Sequence, residues 1–224
     1  MKYMRLSLFL FLLVYGCEKN NVVMEYSDPK ETRFSIKVEQ GVSYLDGTEK
    51  AWVYFSTSDF SEVPQMQIDG KPIPSWYLSY IGYSGETGPI EPKTQYEFEI
   101  IKNSIKSSGL IEMPAPPINI RINGVLLTGV NDSIPANTSY NITWDCNKYD
   151  YFYFSSAGET YDSLFEKSFQ LDTNSVIHGH LSFSIKTKMG KSNINDSNPN
   201  YLGDYGKGYI FSSVNKSFSA RVVY

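Results

Sequence analysis

The sequence predicts an all-β protein: two β-sandwich modules in tandem behind an exported leader. Three observations predict it. Apolar residues recur with a period of two over short segments, the spacing at which alternate side chains share one face of a strand. Turn signals such as Asp69-Gly70, Asn103-Ser104 and Asn123-Gly124 separate these segments at short intervals, and no convincing amphipathic helix interrupts them. The run Met113-Pro114-Ala115-Pro116-Pro117 breaks the pattern at mid-chain, because proline stiffens the backbone and cannot donate to a strand ladder. The chain then divides into a signal peptide (1–16), a tether (17–31), a first module (32–113), a linker (114–117) and a second module (118–224).

Lys2 and Arg5 give the leader a basic start. Residues 6–15 are apolar apart from Ser7, and the small Gly16 then precedes Cys17. Charge, apolar segment and small-residue cleavage site are the layout of a secretory signal peptide. The apolar run is far short of the ~20 residues that a membrane-spanning helix requires. Val14, Gly16 and Cys17 resemble the lipobox of bacterial lipoproteins, although Tyr15 stands where a small residue is usual. The resemblance implies cleavage before Cys17 and acylation of its thiol and new amino group, palmitate being one such chain. Each buried methylene contributes about 0.8 kcal/mol, so several chains hold a folded domain on a membrane almost irreversibly. Lipoprotein sorting often uses an aspartate after the cysteine for inner-membrane retention; Glu18 in that place points to the outer membrane. Residues 18–31 are polar and aperiodic, as a tether is.

In the first module, Phe34, Ile36 and Val38 alternate with Ser35, Lys37 and Glu39, and residues 51–55 follow as a compact apolar strand. Residues 66–68 and 71–73 flank Asp69-Gly70, which supplies the two positive φ angles of a type I′ hairpin turn. Residues 76–81 alternate again, and the glycine- and proline-bearing 82–92 reads as a loop. Tyr96, Phe98 and Ile100 face one way, Glu97 and Glu99 the other, with 105–113 as partner strand. In the second module, Ile118, Ile120 and Ile122 alternate before Asn123-Gly124 turns the chain into 125–127. Tyr140, Ile142 and Trp144 form one strand face, and 149–154 is an aromatic strand. Residues 163–171 have room for one helical turn. Residues 176–187 read as one long strand, 190–208 as a polar loop, and 209–212 with 218–223 close the sheet. Short strands joined in this way are the pattern of an immunoglobulin-like or fibronectin-type sandwich. Over 32–224 the pattern resembles the tandem immunoglobulin-like modules of Gram-negative surface lipoproteins. Gln95-Tyr-Glu-Phe-Glu-Ile100, with the strand leading into Met113-Pro114, looks like their closing hairpin.

The formal charge is −4, and −6 once Lys2 and Arg5 leave with the leader. Without a concentrated basic patch, the chain has no electrostatic footprint for nucleic acid. With Cys17 committed to lipid, Cys146 has no partner within the chain and reads as a buried small hydrophobe. His178 and His180 would share a strand face, but that face also carries Ser182, Ser184 and Lys186 and reads as solvated. The oxygen-rich segment 193–204 lacks the ligand spacing of a calcium loop. Glu97 and Glu99 on an exposed face suit edge protection and solubility. No nucleophile elbow, P-loop, HExxH or dinucleotide fingerprint occurs, so the sequence predicts no enzyme, no metal and no cofactor.

The aromatic residues remain. Tyr149, Tyr151 and Tyr153 fall on one face of their segment, with Phe152 and Phe154 on the other. Trp76 lies near Tyr77, Tyr80 and Tyr83 beside a glycine-rich stretch. An outward aromatic row stacks on sugar rings or docks a partner, and the same residues also suffice to fill a sandwich core and its rim. The expected function is that of a non-enzymatic, lipid-anchored cell-envelope protein acting as a binding or structural module. Its partners are then the membrane, through the anchor, and a glycan or envelope protein. The alternative is a glycan-binding surface lipoprotein of a polysaccharide-uptake system.

Overall fold

The computed structural model describes residues 32–43, 46–59, 61, 63–78, 82–129, 132–191 and 197–224. The signal peptide, Cys17 and the tether lie outside the described residues, as do Tyr80 and residues 193–196 of the oxygen-rich segment. The described chain is all-β and holds no α-helix. Its first strands are β1 (Arg33–Val42), β2 (Glu49–Thr57), β3 (Gln65–Ile68), β4 (Lys71–Ile73), β5 (Ser75–Leu78), β6 (Gly82–Glu86), β7 (Gln95–Lys102) and β8 (Ile105–Glu112). The linker leads into β9 (Ile118–Ile122), β10 (Val125–Leu126), β11 (Ser133–Pro135), β12 (Ser139–Asp145), β13 (Tyr151–Ser156), β14 (Glu159–Leu164) and β15 (Ser168–Asp172). The last are β16 (Val176–Ile177), β17 (His180–Gly190), β18 (Tyr201–Gly203) and β19 (Gly206–Val223).

Among the described residues these strands form three sheets. Two have four strands each, in the orders β4-β3-β7-β8 and β10-β9-β12-β15. The third runs β14-β13-β17-β19-β1-β2-β6-β5, with β11 and β18 also on β19 and β16 on β17. Each small sheet faces one end of the large one, and a separate core fills each gap. The first core contains Phe34, Val38, Phe55, Met66, Tyr96 and Phe98; the second contains Ile122, Tyr140, Trp144, Phe152, Phe154 and Phe183. The period-two pattern decides which residues go in: along β1, Phe34, Ile36 and Val38 are fully buried while Ser35, Lys37 and Glu39 keep partial access to solvent.

The hairpin turns have the expected backbone. Asp69 and Gly70 have φ of 48° and 72°, and Asn123 and Gly124 have 49° and 83°. A further turn of the same kind divides the expected 176–187 strand: His178 and Gly179, at φ 51° and 77°, join β16 to β17, with Ile177 opposite His180. Residues 82–86, expected as loop, are β6, because they complete ladders with both β2 and β5. Gly85 is needed there, since a Cβ would stand 2.4 Å from the Pro74 carbonyl oxygen. Residues 163–171, which have room for one helical turn, instead hold the end of β14 and most of β15, followed by a 3-10 turn at Thr173–Ser175, where the Asp172 carboxylate accepts from the Asn174 N–H.

The largest difference from expectation concerns the end of the chain. Residues 206–223 form one strand of 18 residues where the sequence suggests two short ones after a loop. β19 pairs in parallel with β1 from Lys207 to Val214, antiparallel with β17 from Phe211 to Arg221, and in parallel with β11 from Arg221 to Val223. It therefore belongs to both ends of the large sheet, and Val214 packs in the first core while Ala220 and Val222 pack in the second. Tyr201 and Tyr205, just before it, reach further into the first core. Their rings lie 5.8 and 5.7 Å from Phe34, and Tyr201 lies 5.2 Å from Phe98. Tyr201 Oη donates to the Ser108 carbonyl (2.9 Å), the Tyr205 N–H donates to Ser107 Oγ (2.7 Å), and the Tyr205 and Thr57 hydroxyls lie 3.1 Å apart. These two rings seal the side of the first sandwich between β1 and β8.

Candidate functional site

The outer face of the large sheet carries the residues that sequence reasoning selects. Register fixes that face: Tyr151 lies opposite Lys188, Tyr153 opposite Lys186, and Ser155 opposite Ser184, while Phe152 and Phe154 point into the core. Tyr151 and Tyr153 thus share an outward face and are half-buried. Tyr149 does not join them. It precedes the strand at a bend, and its ring packs 4.2 Å from that of Phe152 on the core side. Trp76 is 45% exposed and lies opposite Ser84 on the same outward face as Ser56. It sits six strand steps from β13, roughly 29 Å across the sheet at ~4.8 Å per strand. One sheet face carries these aromatics, but no single site gathers them.

The two tyrosines are held by lysines. Lys188 Nζ stands 5.2 Å from the Tyr151 ring and 4.8 Å from the Tyr153 ring, and it pairs with Asp162 at 2.9 Å. Such cation–ring contacts contribute ~0.5–2 kcal/mol each. Burial pushes the Tyr151 phenol above its ordinary pKa, with Asp162 and Asp150 adding to the effect. Lys186 reaches across β19 to Glu39 Oε1 (2.9 Å), whose other oxygen takes Lys37 (2.9 Å). Burial alone would raise the Glu39 carboxyl; the two ammonium groups overcome it and hold the group below the usual carboxylate range.

Beyond Tyr153, toward the far end of the second sandwich, the outer face sinks into an open trough of about 1360 Å³. Its floor is a grid of hydroxyls that residue-type reasoning does not select. Ser155, Ser184 and Ser217 form one cross-strand row, and Ser182 and Ser219 form the next. Ser155 Oγ and Ser184 Oγ lie 2.7 Å apart, and Ser182 Oγ and Ser219 Oγ 2.9 Å apart. Tyr153 and Glu159 stand on its walls, and His180 opposite Arg221 forms the following row. The signal in the sequence is the repeated Ser-Phe-Ser at 182–184 and 217–219: phenylalanine inward, serines outward, on adjacent strands.

The histidine pair is arranged differently from the shared strand face considered above. His178 occupies the turn and His180 the strand, and among the described residues no group of three metal-ligating side chains converges. Glu97 and Glu99 lie on the outer face of the first small sheet, where Glu99 pairs with Lys106. Asp59, buried at 4% exposure, binds Lys102 and accepts from the Ser61 N–H at 2.9 Å. Burial would raise its carboxyl, and these partners lower it below the ordinary value. Cys146 is buried in the second core with its thiol 3.4 Å from the Ala115 carbonyl, and burial raises its pKa. Among the described residues no helix is long and apolar enough to cross a membrane. Compared with protein-family models and with curated proteins, the chain matches none.

Proposed function

We propose that the protein is a non-enzymatic, lipid-anchored cell-envelope protein whose two immunoglobulin-like sandwiches act as one rigid binding or structural module. The observation that carries the reading is β19, which runs without a break from one core to the other and makes a single sheet of the two halves. Strand order supports the immunoglobulin-like assignment. β1-β2-β6-β5 opposite β4-β3-β7-β8 follows the ABED and C′CFG orders, and β9-β12-β15 opposite β14-β13-β17-β19 follows ABE and C′CFG. The anchor reading rests on Lys2, Arg5, the apolar 6–15 and Gly16-Cys17.

A second reading, glycan binding at a bacterial surface, is favoured by the outward Tyr151 and Tyr153 beside a hydroxyl-lined trough. The anchor is tested by feeding cells an alkyne-bearing palmitate analogue. The wild-type chain is expected to take the label and sediment with membranes, and Cys17→Ser to lose both. Persistent labelling of the variant overturns the anchor at this residue.

A further inference from the structure

We propose that the trough at the far end of the second sandwich binds a neutral glycan chain, an inference that rests on the glycan-binding reading and gives it a place. Three features select this ligand. The first is hydrogen-bonding chemistry. Each serine hydroxyl donates one bond and accepts two. The Ser155–Ser184 and Ser182–Ser219 contacts use only part of that capacity. Hydroxyl rows ~4.8 Å apart across strands, repeating every ~7 Å along them, offer donors and acceptors in alternation, which suits a polyol better than an ion or an apolar group. The second is shape. Serine is small, so the floor is low, while Tyr153 and the Ala157-Gly158 turn with Glu159 stand above it. The Tyr153 ring is braced by Lys186 and Lys188, at 6.0 and 4.8 Å, and so presents a fixed apolar wall to the C–H face of a sugar.

The third feature is charge. Asp132, Glu159 and Arg221 line the trough, and the Asp132 carboxylate is taken up by the Thr128 and Gly129 N–H groups, so no positive field draws an acidic ligand. A protein partner would call for large apolar or aromatic anchors at the centre of the patch; hydroxyls occupy that place here. The position also fits display. Arg33, where the tether joins the fold, lies beside Lys207 at one end of β19. Ser219 lies near the other end, about 40 Å along the strand at ~3.3 Å per residue.

The test uses the full chain in detergent and native gels cast with laminarin, xyloglucan, galactomannan or amylopectin as neutral probes and polygalacturonate as an acidic one. At least one neutral probe is expected to retard the protein. Tyr153→Ala, and Ser184→Val combined with Ser217→Val, are each expected to weaken that binding at least tenfold. The double valine variant should keep its melting temperature, since valine suits an exposed strand, while Tyr153→Ala should melt lower through the loss of its two lysine contacts but still cooperatively. Trp76→Ala is expected to leave binding unchanged. Retardation that survives the trough variants and disappears in Trp76→Ala overturns the trough while leaving the glycan reading intact. Retardation by polygalacturonate alone overturns the neutral assignment, and no retardation by any probe overturns both.

Discussion

Glu39 sits where the two halves of the large sheet meet. Lys186 comes from β17 and Lys37 from its own strand, and Ser213 of β19 lies between, its hydroxyl 3.4 Å from the same carboxylate oxygen. Because its folded pKa lies below the ordinary 4.5, the ionised group stabilises the fold above that value, and this contribution is lost as pH falls through the folded pKa. Asp59 has the same sign: its carboxyl is held below 3.8, so its contribution also disappears on acidification. Glu39→Gln should therefore cost about 1–3 kcal/mol at pH 7, the size of charge-assisted hydrogen bonds. The gap between variant and wild type should close as pH falls well below 4. Urea denaturation at pH 7 and pH 2.5 measures it, and a gap of equal size at both values would refute the ionic staple.

On the side of β19 that meets the first core, Gly208 and Ser212 leave room for the large residues opposite and beside them. Gly208 lies opposite Phe34, and a Cβ there would stand 2.5 Å from Phe34 Cζ and 2.9 Å from Tyr201 Cδ1. Gly208→Ala should thus destabilise by about 1–3 kcal/mol through overpacking. Gly88→Ala, which meets nothing within 4 Å, should be near neutral. Matched melting curves decide, and equal effects at the two glycines would mean that Tyr201 is not packed as described. The same residues explain what sequence shows and hides. β1, β7 and β12 are legible because each writes its buried face into its own alternation. The continuity of β19 and its pairing with β1 are not, because Gly208 and Ser212 interrupt Ile210 and Val214 on the side facing the first core and β1 lies more than 160 residues earlier in the chain. Among site residues, the outward tyrosines of β13 follow from period two, whereas Tyr149 escapes it by standing before the strand begins. The serine trough needs the register of three strands, which no local pattern supplies.

At the scale of the whole molecule, the first sandwich is completed by residues that follow the second. Its eight strands contain both layers of the sandwich, but Phe34 and Phe98 meet Tyr201 and Tyr205 across the open side between β1 and β8. A fully buried ring of this kind removes on the order of 150–250 Å² from water, or about 4–6 kcal/mol at ~25 cal/mol per Å². Tyr205 is buried and Tyr201 partly so, and together they supply a sizeable share of the roughly 5–15 kcal/mol by which a domain is stable. The parallel ladder to β19 adds hydrogen bonds along the β1 edge that the fragment would leave to water. A fragment of residues 32–117 should lack a cooperative melting transition and should bind the dye ANS. A synthetic peptide of residues 199–216, added in trans, should restore the transition and displace the dye. If the fragment alone melts as cooperatively, and at the same temperature, as the full chain, the first sandwich is self-sufficient. β19 would then be a contact between two finished domains and not a strand that completes one of them.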